Sequence, residues 1–248
     1  MNDAFDPATA ALLAPTGRLR ASINLGNPIL ANTDPATGRA RGVSVDLAQA
    51  LAERLGVPLE TIEFPAAAKS VDAVTGGVAD VGFFAIDPLR AAEIAFTDAY
   101  ILIEGAYLVR EDSPCRANED VDRPGTSVVV GQGSAYDLFL TRELKAASFL
   151  RVAGAAEVVE TLRRGGADVA GGIRQTLVEV AAATPGLRVL PGRFMVIRQA
   201  MGLARARGAD AHAALHAFVE DAKASGFVAD AMRRHAVAGA SVAPAGAA

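Results

Sequence analysis

Short apolar runs alternate with amphipathic helical stretches, and this pattern is given twice along the chain. That repetition constrains the fold more than any other feature. In the first run, Leu19–Asn24 reads as a strand that Gly26, Asn27 and Pro28 break. Ser44–Leu55 reads as a helix with Leu47, Leu51 and Leu55 on one face and Gly56 as its stop. Thr61–Phe64 is a strand, Ala68–Thr75 a short helix, and Val81–Ala85 a buried strand, after which Pro88 opens a helical turn. Tyr100–Val109 is a long extended run. A polar stretch from Arg110 to Pro124 follows, and the pattern restarts. The second run has strands at Ser127–Val130, Leu150–Val152 and Val169–Gly171, and helices at Ser134–Lys145, Ala155–Arg163 and Thr176–Ala183. Phe194–Gly202 is extended again, and helices at Ala209–Ser225 and Val228–Val237 close the chain. Such alternation predicts parallel sheets covered by helices on both faces. Two similar runs predict two lobes: residues 16–108 with 200–240, and residues 109–199. Residues 1–15 and 241–248 are expected to be loose. Ligands of such sheets bind at the carboxyl ends of the strands.

Composition removes several classes of function. With 51% apolar and 21% charged residues in 248, the chain is an ordinary globular protein rather than a disordered one. A net charge of −4, with only short basic pairs such as Arg163-Arg164, argues against a nucleic-acid partner. No run approaches a membrane span, so no membrane insertion is expected. The acidic start, Met1 to Pro7, lacks the basic and apolar segments of a secretory signal. A cytoplasmic protein is expected if Met1 is the native start.

Few groups carry catalytic chemistry. The single cysteine, Cys115, cannot form an internal disulfide and reads as a surface thiol in a polar loop. No nucleophile elbow and no phosphate-binding Walker loop is present. His212, His216 and Glu220 have metal-compatible spacing on one helix. Leu215, Phe218, Val219 and Ala222 mark that helix's buried face, however, which puts His216, Glu220 and Lys223 on the solvated side. His235, beside Arg233 and Arg234, reads as exposed. Gly131-Gln132-Gly133-Ser134-Ala135-Tyr136 follows a strand and opens a helix, but Tyr136 stands where a dinucleotide fingerprint needs its third glycine. The N–H groups of this helix start, with Ser134, can hold a carboxylate or phosphate, and Ser134 with Asp137 also forms a capping box. Arg90 follows the strand Val81–Ala85, where it can grip a carboxylate through two parallel hydrogen bonds. The alternative is a surface arginine paired with Asp87 or Glu93.

These segments carry a family resemblance. Gly42-Val43-Ser44-Val45-Asp46-Leu47-Ala48, Ala79-Asp80-Val81, Ile86-Asp87-Pro88-Leu89-Arg90 and Ile94-Ala95-Phe96-Thr97-Asp98-Ala99-Tyr100 resemble, in order and spacing, the bacterial extracellular solute-binding proteins of family 3. Gly131-Gln132-Gly133-Ser134 is similar to their second-lobe loop, and Ala224-Ser225-Gly226-Phe227 to a segment near their end. The likeness runs from about Gly17 to Arg234. It implies an α/β, two-lobed periplasmic-binding-protein type 2 fold: two mixed sheets flanked by helices and a two-strand hinge that closes over a small polar ligand. It further implies a periplasmic location, an ABC permease as partner, a monomer, and no cofactor, metal or catalytic residue.

Residue by residue, the resemblance implies that Arg90 grips the ligand's α-carboxylate and that Ser134 or Ala135 assists from the second lobe. Asn27 stands near the position of a stacking aromatic, and Phe83 and Ala85 replace hydroxyl residues. Ile173 sits where an aspartate should take the α-ammonium, with Arg174 and Gln175 following. If Arg174 points inward, the ligand set is Arg90, Arg174, Lys69, Ser134, Gln132, Gln199, Asn27 and Phe84, and it favours a dicarboxylate or keto acid over ordinary amino acids. If Arg174 points away, that preference lapses. An enzyme on the same fold, similar to cyclohexadienyl dehydratases, and the ligand-sensing module of a regulator are the rival readings.

Overall fold

A computed structural model of the chain describes residues 4–246. In chain order the elements are α1 (Pro7–Leu13), β1 (Leu19–Asn24), β2 (Asn32–Thr33), β3 (Ala40–Arg41), α2 (Val43–Leu55), β4 (Leu59–Phe64), α3 (Ala67–Thr75), β5 (Val81–Ala85) and β6 (Ile94–Arg110). Then come β7 (Ser127–Gly131), α4 (Ala135–Glu143), β8 (Ser148–Val152), α5 (Ala155–Arg163), β9 (Val169–Ile173), α6 (Arg174–Ala183) and β10 (Leu187–Val189). The last are β11 (Met195–Ala204), α7 (Ala209–Ala224), α8 (Phe227–Arg234) and β12 (Ala240–Val242). The chain forms two compact units. Unit 1 holds the described residues up to Leu102 and from Arg198 onward, and unit 2 holds Ile103–Ile197. Strands β6 and β11 each run from one unit into the other.

In unit 1 the strands are ordered β4-β1-β5-β11. Strand β1 is parallel to β4, from Leu19↔Leu59 to Asn24↔Phe64, and parallel to β5 at Ala21↔Val81. The carboxyl ends of these three strands therefore share one rim. Strand β11 joins antiparallel, with Gln199 opposite Ala85. All five residues of β5 are buried, as its continuous apolar run predicts for a strand covered on both faces. Helix α2 starts where it does because Gly42 tolerates φ 127°, and a Cβ there would stand 2.4 Å from the Leu30 carbonyl oxygen. It stops at Gly56, which takes the left-handed conformation at φ 69°.

Unit 2 shows strand alternation directly. On one face Tyr107, Val109, Val128, Val130 and Val169 build a core with Cys115 and Leu140 of α4. On the other, Leu108, Val129 and Ala170 pack against Val158 and Leu162 of α5 and Leu177 of α6. Strand β9 is parallel to β7 and antiparallel to β6, β8 is parallel to β7, and β10 is antiparallel to β6.

Five expectations change. Within the described residues the terminal segments carry order, while residues 1–3 and 247–248 of the expected loose ends lie outside the described residues: Asp6 caps α1 by accepting from the N–H groups of Ala8 (2.9 Å) and Thr9 (3.1 Å), and β12 pairs with β6. Cys115 is buried, because its loop folds onto the unit 2 core. Lys223 is buried, because Ala99 and Pro244 cover that side of α7 and take its ammonium at 3.1 Å each. His235 is largely enclosed, its Nε2 3.0 Å from Asp46 Oδ2. The capping box is open on one side: Ser134 Oγ accepts the Asp137 N–H at 3.2 Å, but Asp137 reaches the Gly133 N–H at 2.9 Å rather than that of Ser134.

Candidate functional site

The rim of unit 1 gathers four of the eight candidate ligand groups: Arg90, Gln199, Asn27 and Lys69. Arg90 follows β5 through a turn that its own sequence builds. Asp87 Oδ1 accepts the Leu89 N–H at 2.9 Å, and the Asp87 carbonyl accepts that of Ala91 at 2.9 Å. The turn folds Arg90 back under the strand, where Nη1 donates to the Ala85 carbonyl at 3.2 Å. The side chain is not on the outer surface, for Arg90 is only 8% exposed. Burial pulls its guanidinium below the ordinary range, and the nearby Asp87 carboxylate opposes that pull. Gln199, opposite Ala85 in the ladder, is buried beside this corner.

Asn27 sits in the turn after β1, the strand next to β5. Its backbone carbonyl accepts the N–H groups of Leu30 and Ala31 at 3.0 Å each. Its side-chain Oδ1 is enclosed and has no hydrogen-bond partner among the described residues. A buried acceptor left unmade costs about 1–3 kcal/mol, so this amide is suited to a donor that arrives from outside. Lys69, on α3 after β4, is exposed at the same end of the sheet. Phe84 does not join them. Its ring packs in the core with Ala73, Val74, Ala79 and Ile94, and a Cβ on Gly82 would stand 2.2 Å from it. Side chains alternate along β5, and the position of Phe84 faces the helix layer rather than a ligand.

Unit 2 presents a second set at the start of α4. Gly133, at φ 67°, turns the chain between β7 and the helix. Several N–H groups of this loop are used internally: Gln132 donates to the Val152 carbonyl at 2.8 Å and Ser134 to that of Gly131 at 3.1 Å. Among the described residues no internal partner takes the N–H of Ala135 or Tyr136, and these two donors with the Ser134 hydroxyl make an anion-receptive helix start. Gln132 itself is exposed. Asp137, which sequence reading treated only as a cap, is buried and holds the loop from below. Its Oδ1 accepts from Arg151 Nε at 2.8 Å and from Thr141 Oγ1 at 3.2 Å.

Arg174 is the first residue of α6. Its guanidinium donates to the Gly192 carbonyl, and Nε lies 3.7 Å from Glu104 Oε2. Glu104 also holds Arg193 at 2.5 Å. Arg174 thus shares the one carboxylate of Glu104 with Arg193 within unit 2. Sequence reading missed Glu104, although a lone carboxylate in the apolar run Tyr100–Val109 was a visible signal.

A family model described as bacterial extracellular solute-binding proteins, family 3, matches residues 27–237. The chain belongs to this family. A glutamine-binding protein from Geobacillus stearothermophilus is 24% identical over 182 residues, covering 72% of this chain and 69% of that protein. Among solved structures, the solute receptor for L-cysteine of Neisseria gonorrhoeae superposes with a TM-score of 0.78 at 21% identity, covering 91% of this chain and 92% of that one. An ancestral amino acid-binding protein, AncCDT-1, described as a precursor of cyclohexadienyl dehydratase, superposes with a TM-score of 0.74 at 20% identity, over 91% and 98%. The α/β type 2 periplasmic-binding-protein fold expected from the sequence is borne out. Among the described residues no helix is long and apolar enough to cross a membrane.

Proposed function

We propose that this family 3 protein captures a small α-amino acid, with Arg90 holding its carboxylate and Asn27 Oδ1 accepting a hydrogen bond from its ammonium. The solute would then pass to an ABC permease in the extracytoplasmic space. The observation that carries the reading is the guanidinium of Arg90, buried against the carboxyl end of β5. A planar guanidinium held there can meet a carboxylate through parallel, charge-assisted hydrogen bonds. Asn27 supplies the second requirement of a zwitterion, an acceptor, on the neighbouring strand-end loop. The relatives' names agree in class, being binders of glutamine, L-cysteine and amino acids.

The alternative of a dicarboxylate or keto acid draws on Arg174, whose guanidinium shares Glu104 with Arg193. It keeps a foothold in Ile173, which offers an ammonium nothing. A dehydratase-like enzyme is the second reading, favoured by the likeness to AncCDT-1. A thermal-shift panel of the twenty amino acids, dicarboxylates and keto acids, with cyclohexadienyl acids followed for dehydration, separates the three. Stabilisation by one or a few amino acids without turnover supports capture of an amino acid. A response to acids alone, or product formation, contradicts it.

A further inference from the structure

Away from the rim, unit 1 brings three metal-ligating side chains together from two elements. His216 and Glu220 lie one turn apart on α7, and Asp98 faces them from β6. One ligand atom from each falls within 4.8 Å of the others. His216 Nε2 stands 3.3 Å from Asp98 Oδ2. Two ligands each about 2.0–2.2 Å from a tetrahedral zinc ion lie roughly 3.3–3.6 Å apart, so this pair already spans one edge of such a site.

The surroundings support the set. Lys223 is anchored by the carbonyls of Ala99 and Pro244, and its ammonium forms an ion pair with Glu220 Oε1 at 2.6 Å. His212 Nε2 meets the Phe96 carbonyl at 2.6 Å, so α7 is already fastened to β6 one turn earlier.

We propose that Asp98, His216 and Glu220 form a divalent-metal site of zinc type, with the fourth position open to water, that ties α7 to β6. One nitrogen and two oxygen donors suit zinc rather than magnesium or calcium. The site is separate in sequence from Arg90 and Asn27 and stands or falls without the solute reading.

The test is calorimetric titration of zinc chloride into the full chain, freed of affinity tags and stripped with chelator. One site per chain is expected, with His216→Ala and Asp98→Asn each weakening it more than about tenfold, since even outer-shell changes at zinc sites cost 10–100-fold. His235→Ala, which removes the other histidine–aspartate pair, should leave affinity unchanged. Circular dichroism of each variant without metal checks that it folds, and Glu220→Gln serves in place of one that does not. No saturable heat at millimolar zinc, or wild-type affinity in His216→Ala, overturns the proposal.

Discussion

Arg90 Nη1 donates to the Ala85 carbonyl at 3.2 Å, which pins a buried guanidinium to the end of the strand from which its own loop departs. The position of the charge is therefore set by backbone and not by a flexible side chain on the surface. Hydrogen bonds to charged groups contribute about 1.5–3 kcal/mol, so Arg90→Ala should weaken amino-acid binding at least tenfold. Arg90→Lys should recover little, because an ammonium lacks the planar fork. Calorimetry on both variants checks this, and an unchanged affinity in Arg90→Ala would remove the anchor from the account.

Asn27 should show opposite effects on stability and binding. Its enclosed Oδ1 has no partner among the described residues, so the folded protein bears the cost of an unmade hydrogen bond. Asn27→Leu should raise the melting temperature of the ligand-free protein, by an amount corresponding to roughly 1 kcal/mol or more. It should also weaken binding of the same amino acid. A variant both less stable and unaltered in affinity would mean that Asn27 is only a turn residue.

Gly42 is required by geometry. At φ 127° with the Leu30 carbonyl 2.4 Å from where a Cβ would stand, Gly42→Ala must shift backbone. Backbone strain of this kind costs about 1–3 kcal/mol before the clash is counted. Urea unfolding should show a loss at the upper end of that range or beyond, and a loss below half a kilocalorie would contradict it.

Acid should weaken unit 2 through Asp168. The hydroxyl of Ser127 donates to its carboxylate at 2.7 Å and holds its pKa below the ordinary value. Burial acts against this, and the Ser127 N–H and Arg110 reinforce it. A carboxylate whose folded pKa is depressed stabilises the fold above its unfolded value of about 3.9 and loses that contribution as pH falls toward the folded value. Urea midpoints measured from pH 6 to pH 3 should fall below about pH 4, with a shallower fall in Asp168→Asn. Parallel curves for the two proteins would show that Asp168 contributes nothing.

The fold was largely legible because it rests on periodicity. The run of Val81–Ala85 and the leucine face of Ser44–Leu55 each correspond to an element displaced by no more than a residue. The short pieces were not legible. The β2–β3 pair spans two residues a side, and β12 exists only because β6 offers it an edge. At the rim, Arg90 could be named from its place after a strand, but the direction in which Arg174 points depends on Glu104, seventy residues away in sequence. Asp98 could not be joined to His216 and Glu220 for the same reason: helical spacing shows one face of α7 and not the strand it meets.

The most direct test of amino-acid capture is titration of the wild-type protein with the amino acid that stabilises it most, repeated with the matching keto acid. That acid keeps the carboxylate for Arg90 but has no ammonium for Asn27. The account predicts saturable 1:1 binding of the amino acid and at least about tenfold weaker binding of the keto acid, the loss expected when a buried acceptor is left unpaired. Equal or tighter binding of the keto acid would contradict it.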